Sequence, residues 1–274
     1  MWVTDALRGR VRKFILFVVI VALATLYLYF FSYEGGVKES SSDAPATTSA
    51  TAIEATTTSV QSAVTPDTQK PAPKKVATTQ AAPISPWKSV MTTLFWVGEP
   101  ADSDNAYITN TESYWDEKWE AHYGGIDDPN CRYGYGPCGF AAKENPFYFA
   151  LPYGEYDDNG NLKSAAKRVP WYGKDSQQLL KNRWIEVKHN GYICYAQWED
   201  VGPNGEDDFS YVFGNTKPVN TFGEKAGLDS SPALWKCLHM SDNDVTSWAF
   251  VDASDVPSGP WKDIVTTSGT SWDN

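Results

Sequence analysis

Between Val37 and Pro86 the chain contains no aromatic residue, whereas every tryptophan except Trp2 lies at or beyond Trp87. That partition decides where a fold can form. Residues 34–86 are dominated by Ser, Thr, Ala, Pro and Gln, and cannot bury enough apolar surface to offset the entropy of ordering them. The sequence therefore predicts a disordered linker over 34–86. At ~50 residues such a coil reaches roughly 35–45 Å root-mean-square, from ~5–6 Å × √n. The folded domain is expected over 87–274, its core ending near Trp261 and its last residues forming a polar, frayed tail.

Upstream of the linker, Arg8, Arg10, Arg12 and Lys13 precede an uninterrupted apolar run from Phe14 to Phe31. At ~1.5 Å per residue the run makes a helix of ~27 Å, close to the ~30 Å hydrocarbon core of a bilayer. It ends in Tyr27, Tyr29, Phe30, Phe31 and Tyr33, an aromatic belt without an evident cleavage site. The pattern predicts a cytoplasmic basic segment over 1–13 and a transmembrane signal-anchor over 14–33. By the positive-inside rule the C-terminal domain is periplasmic or extracellular. The alternative is a long cleaved signal peptide. Both export the domain.

The net charge of −11 argues against a nucleic-acid partner, which would need clustered Lys and Arg. Four cysteines, an even number, fit an oxidising compartment. Cys131 and Cys138 flank a Gly-rich segment short enough for a local disulfide, which leaves Cys194 and Cys237 for a long-range one. The chain has no N-x-S/T glycosylation acceptor. A bacterial envelope is the expected setting.

Strand-like runs are Thr92–Val97, Phe147–Leu151, Arg183–Lys188, Tyr192–Glu199, Ser210–Phe213 and Thr246–Val251. Arg183–Lys188 and Tyr192–Glu199 are joined across Asn190-Gly191, a strong hairpin signal. Helix-like segments are Ser113–His122, Ser176–Asn182 and Ser230–Met240. Short strands between Gly, Pro, Asn and Asp clusters indicate a mainly β fold, a small barrel or sandwich.

Three segments carry a resemblance. They are Leu151-Pro152-Tyr153-Gly154, Asp200-Val201-Gly202-Pro203 closing the hairpin, and Asp229-Ser230-Ser231-Pro232-Ala233 further on. In this order they resemble the double-psi β-barrel superfamily, which includes rare lipoprotein A-type lytic transglycosylases, expansins and small endoglucanases. The match covers Phe147 to about Val251. It implies a six-stranded double-psi β-barrel with short helices, following a transmembrane helix and a disordered linker. It also implies a cell-wall polysaccharide, peptidoglycan or a β-1,4-glycan, as partner, with acid-assisted cleavage of the glycosidic bond as the activity. The alternatives are a non-catalytic expansin-like binding module and an envelope scaffold that binds protein. The chain departs from the transglycosylase pattern at Tyr148, where the family carries a His, and in the length of the 204–226 stretch. Tyr114-Trp115-Asp116 is similar to the segment bearing one catalytic carboxylate in the small endoglucanases.

The candidate catalytic residues are Asp229, Asp200 and Asp116. Glycoside cleavage needs a carboxylic acid of raised pKa and, for inversion, a carboxylate base across ~6.5–9.5 Å. Simpler roles stand beside these. Asp229 would serve as a helix N-cap, Asp200 as a turn former and Asp116 as a solvated charge on an acidic helix. Trp115, Trp119, Tyr148, Tyr153 and Trp198 are the candidates to line a sugar groove, the other aromatic residues filling the core. His122, His189 and His239 share no motif, and Asp157-Asp158-Asn159-Gly160-Asn161 reads as a turn rather than a Ca²⁺ loop. No metal or cofactor is expected.

Overall fold

The computed structural model describes residues 80–175 and 177–270. The expected basic segment, transmembrane segment and most of the linker lie outside the described residues. Among the described residues no helix is long and apolar enough to cross a membrane.

In chain order the elements are β1 (Lys88–Leu94), α1 (Trp119–Tyr123), β2 (Arg132–Tyr133), β3 (Gly136–Pro137), β4 (Tyr148–Ala150), β5 (Trp184–His189), β6 (Tyr192–Asp200), α2 (Phe209–Val212), β7 (Leu228–Ser230), α3 (Pro232–Cys237) and β8 (Asp244–Val251). Six strands close a barrel in the order β1-β7-β4-β6-β5-β8, and β2 and β3 form a separate ribbon. The β1/β7 and β4/β6 pairs are parallel; the other four pairs around the barrel are antiparallel. Closure leaves no sheet edge exposed.

The β5–β6 hairpin forms as the sequence predicts. His189 pairs with Tyr192, and Asn190 and Gly191 both take positive φ, the two-residue turn whose twist suits the flanking strands. Elsewhere local pattern gives way. Ser210–Phe213, expected as a strand, belongs largely to α2, because Asp208 caps that turn by accepting from the Tyr211 amide and Phe209 packs on Phe213 one turn later. The expected helix from Ser113 shrinks to α1, and the described residues of 176–182 form no helix. The sixth strand is β7, in residues whose composition reads as a helix entry.

Aromatic rings pack the core beside aliphatic chains such as Leu151, Ile185, Leu228 and Val251. Phe213 and Phe250 stack at 5.7 Å, Phe149 and Trp198 at 5.8 Å, and Trp248 meets Phe250 edge-on at 5.2 Å. Each such pair contributes roughly 0.5–1.5 kcal/mol beyond the burial of its area. Both disulfides form: Cys131–Cys138 closes the β2–β3 ribbon, and Cys194–Cys237 ties β6 to α3. With 43 residues of separation, the second contributes about 4 kcal/mol in the chain-entropy account.

Order extends past both expected ends. The Ala81 amide donates to Tyr195 Oη, and Ile84 and Ser85 hydrogen-bond the backbone of Phe250, so part of the expected linker lies along the barrel. At the other end Thr266 and Thr270 are buried, and the Gln197 side chain bonds both backbone groups of Thr266. The expected frayed tail is packed this far because its polar groups find buried partners.

Candidate functional site

One residue row across four neighbouring strands builds the site. Ala150 of β4 lies opposite Asp200 of β6 on one side and Asp229 of β7 on the other, and Asp229 lies opposite Thr93 of β1. Neighbours in such a row present their side chains to the same face. A bulge fixes which acid joins it. Phe149 pairs with Trp198, but the register then skips Glu199, so Ala150 meets Asp200. The extra residue re-aims the strand, a common use of bulges beside functional sites.

The row opens into a cavity of about 90 Å³ lined by three buried or half-buried acids, Asp200, Asp229 and Glu99, and by a fourth, exposed one, Asp104. Ala150 between the two aspartates leaves space above it. Gly202 also borders the cavity, and a Cβ there would lie 3.3 Å from Asp229 Oδ2. Glu99 sits on the loop after β1, its Oε2 accepting from Asn110 Nδ2 at 2.7 Å. Reciprocal backbone bonds, Gly98 N to Asn110 O and Asn110 N to Glu99 O, pin the loop at that point.

Each carboxyl is held in place but lacks a counter-ion. Asp229 Oδ1 accepts from Thr93 Oγ1, and Asp200 Oδ1 accepts from the Tyr114 amide at 2.8 Å. Among the described residues none of the three forms a salt bridge. Burial pushes Asp229 up to about 7, the charges of Glu99 and Asp200 adding to the rise and the Thr93 bond opposing it. Burial also raises Asp200 to about 7, against hydrogen bonds from the Tyr114 and Val201 backbone. Glu99 is raised to about 7 by burial, against bonds from the Trp96 backbone and the Asn110 and Asn105 side chains. A site of this kind holds protons near neutrality and can give or take them.

Asp229 is not a helix N-cap, and Asp200 does more than organise its own turn. The N-cap of α3 is Ser231, whose Oγ accepts from the Leu234 amide, while Asp229 is a strand residue of β7. Asp200 bonds a distant segment, 86 residues away in sequence, beyond any role in its own turn. Asp116 does not join the cavity, nor is it a solvated helix charge. It is buried in a turn ahead of α1, accepting from the Lys118 amide and bonded to His122 Nδ1 at 2.6 Å. Its neighbour Tyr114 connects this segment to Asp200.

The five aromatic candidates for a sugar groove are core residues. Trp115, Trp119, Tyr148, Tyr153 and Trp198 are each no more than 2% exposed, so none offers a ring face to a ligand. Trp115 Nε1 donates to buried Glu155, and Trp198 Nε1 donates to the Asp200 carbonyl, bracing the strand end that carries the acid. Tyr148 donates to Asp127 Oδ2 and accepts from the Val97 amide. The aromatic and aliphatic rim of the cavity is instead Phe95, Ile108 and Phe222. Glu99, Ile108 and Phe222 lie in loops with no periodic pattern, and nothing short of the fold brings them together. Gly154, the last residue of the Leu-Pro-Tyr-Gly segment, faces the Tyr114 ring so closely that a Cβ would overlap it.

His189 is held by the Leu238 carbonyl and Asp244, and the Asp157 carboxylate accepts from the amides of Asn159 and Asn161, as an acidic turn does. Among the described residues no group of three or more His, Cys, Asp or Glu side chains is disposed to hold a metal ion.

No family model matches the chain, and no curated protein matches it. Among solved structures it is similar to one described as Streptomyces papain inhibitor (SPI), with a TM-score of 0.27 and 14% identity over 62% of this chain and 98% of that one. Likeness at that level carries no argument about fold family or activity.

Proposed function

We propose that the barrel is a double-psi β-barrel held outside the membrane by its N-terminal segment, and that its acidic cavity binds and cleaves a cell-wall polysaccharide, peptidoglycan or a β-1,4-glycan. The observation that carries this reading is the gathering of Asp200, Asp229 and Glu99, without a cation, in one cavity at the barrel end. The two parallel pairs, β1/β7 and β4/β6, set among antiparallel ones support the barrel type.

In this mechanism protonated Asp229 gives its proton to the departing glycosidic oxygen. Asp200 then takes a proton from the attacking group. That group is water in hydrolysis, or a hydroxyl of the sugar itself in transglycosylation. Asp200 and Asp229 stand one strand apart on either side of Ala150, so their Cα atoms are roughly 10 Å apart from two interstrand spacings. That span leaves room for the ~6.5–9.5 Å carboxyl gap of an inverting reaction. Glu99, adding negative charge nearby, helps keep Asp229 protonated.

A second reading, a non-catalytic expansin-like binding module, is favoured by one observation. Where the transglycosylase pattern has a His, Tyr148 is buried and bonded away from the cavity. Incubating the full chain with purified sacculi separates the two readings. Release of soluble fragments, lowered about 10²–10⁴-fold by Asp229→Asn, supports cleavage by an acid. Retention on sacculi without release moves the assignment to binding, and absence of retention removes the polysaccharide.

A further inference from the structure

Two side chains at the cavity mouth are unusual in combining a fixed backbone with an exposed apolar end. Phe222 is 37% exposed and Ile108 is 49% exposed, yet both line the same cavity as the three acids. A buried amide clamps Phe222: its own N–H donates to Asn220 Oδ1 at 2.8 Å, and Asn220 Nδ2 donates to the carbonyls of Phe222 and Ala226. Asp208 anchors the same loop upstream, its Oδ2 accepting from the Val219 amide. Ile108 rides the loop after β1. There Asp102 Oδ1 accepts from the amides of Asp104 and Asn105, the Tyr107 amide donates to Asp102 O, and the Ile108 amide donates to Asn105 O. In both loops polar side chains set the backbone, and an apolar side chain is left without a full shell of neighbours.

The cavity thus has an acidic floor and a mouth that sets two apolar side chains beside Asp104, and both parts restrict the ligand. An anion is disfavoured beside four carboxyls and a net charge of −11. A purely apolar molecule would leave the acids desolvated without hydrogen-bond partners. A pyranose ring satisfies both walls, with hydroxyls and glycosidic oxygen toward the acids and its C–H face toward a flat aromatic side chain. We propose that Phe222 and Ile108 are the specificity residues of the site, holding the C–H face of a neutral pyranose ring at the mouth of the acidic cavity. The assignment rests on the polysaccharide function proposed above; Ile108 lies outside the stretch that carries the family resemblance, and Phe222 lies in the 204–226 stretch where the chain departs from it.

The test uses the full chain with purified sacculi and with a soluble, uncharged β-1,4-linked N-acetylglucosamine oligomer. Retention and oligomer affinity are measured for wild type, Phe222→Ala, Ile108→Ala, Phe222→Tyr and Asn220→Ala. Phe222→Ala and Ile108→Ala should match the wild-type melting temperature to within a few degrees, since each removes an exposed group. Phe222→Ala should weaken oligomer affinity about tenfold or more and Ile108→Ala several-fold, while Phe222→Tyr restores binding. Asn220→Ala, which keeps the ring but frees its backbone, should also weaken binding. Wild type that binds while Phe222→Ala binds equally well overturns this inference and leaves the polysaccharide function standing. Wild type that binds neither probe overturns the function itself. Loss of binding that Phe222→Tyr does not restore, with the fold intact, rejects stacking as the role of the ring.

Discussion

Glu199 and Asp200 are consecutive residues at the end of β6, both buried and both with carboxyls raised to about 7, chiefly by burial. Their surroundings differ completely. Glu199 Oε2 meets Lys181 Nζ at 2.9 Å, and the same ammonium donates to Ser268 O and Ser268 Oγ. Its three donors are therefore used in fastening the C-terminal segment to the barrel. Asp200 has two backbone amides and an open cavity. Burial alone thus does not mark a functional carboxyl; what distinguishes Asp200 is that no cation answers it and that its face is open to a ligand.

Substitutions at the two carboxyl sites should act in opposite directions. The largest expected effect is on the paired acid. Lys181→Met leaves Glu199 buried without its partner, which costs about 3–5 kcal/mol. Urea unfolding at neutral pH measures it; a loss below about 1 kcal/mol would mean the pair is incidental to stability.

Asp200→Asn should act in the opposite direction. Because the folded pKa of Asp200 lies above its unfolded value, the folded state holds the proton more tightly. Stability from this group is therefore full below about pH 4 and is lost as the pH rises through about 7. Asparagine keeps an acceptor for the Tyr114 amide and carries no charge. The variant should be more stable than wild type by on the order of 1–3 kcal/mol at pH 8, and the gain should vanish near pH 4. Wild-type and variant stability curves running parallel across that range would remove the account.

The smallest structural effect is expected at Gly202. A methyl group there would press on Asp229 Oδ2 at 3.3 Å and touch Ala150 Cβ at 3.8 Å. Gly202→Ala should lose less than about 1 kcal/mol of stability, the lower end of the cost of overpacking. Its effect should fall on fragment release instead, which would drop several-fold as the Asp229 carboxyl shifts. An unchanged rate would place the reacting oxygen away from Gly202.

Local signals in the sequence determined a good deal. Asn190-Gly191 fixed the hairpin, because its positive φ values need only the residues of the turn. The even cysteine count and the short Cys131–Cys138 spacing anticipated the disulfides. Asp200 and Asp229 were legible as candidates from their motifs. What sequence could not weigh was competition between equally plausible local choices. The residues of β7 could begin a helix or finish a barrel, and parallel pairing with β1, 136 residues away at Thr93–Asp229, decided it. An aromatic residue beside an acid fits a groove or a core equally well in composition, and tertiary packing buried all five candidates, Trp115, Tyr153 and Trp198 in one cluster and Trp119 and Tyr148 in a second.

The aromatic-free stretch before Trp87 behaved in the same divided way. Composition alone puts the folded domain at and beyond Trp87, since ordering a chain requires apolar area to bury. Tertiary partners, Tyr195, Phe250 and Val251, hold Ala81, Pro83, Ile84 and Ser85 to the barrel, residues that composition assigns to the linker. Likewise the bulge at Ala150, which selects Asp200 over Glu199, exists only between two strands. Residue type and spacing are properties of one segment, whereas register and enclosure are properties of segments in contact, and these placed the acids together.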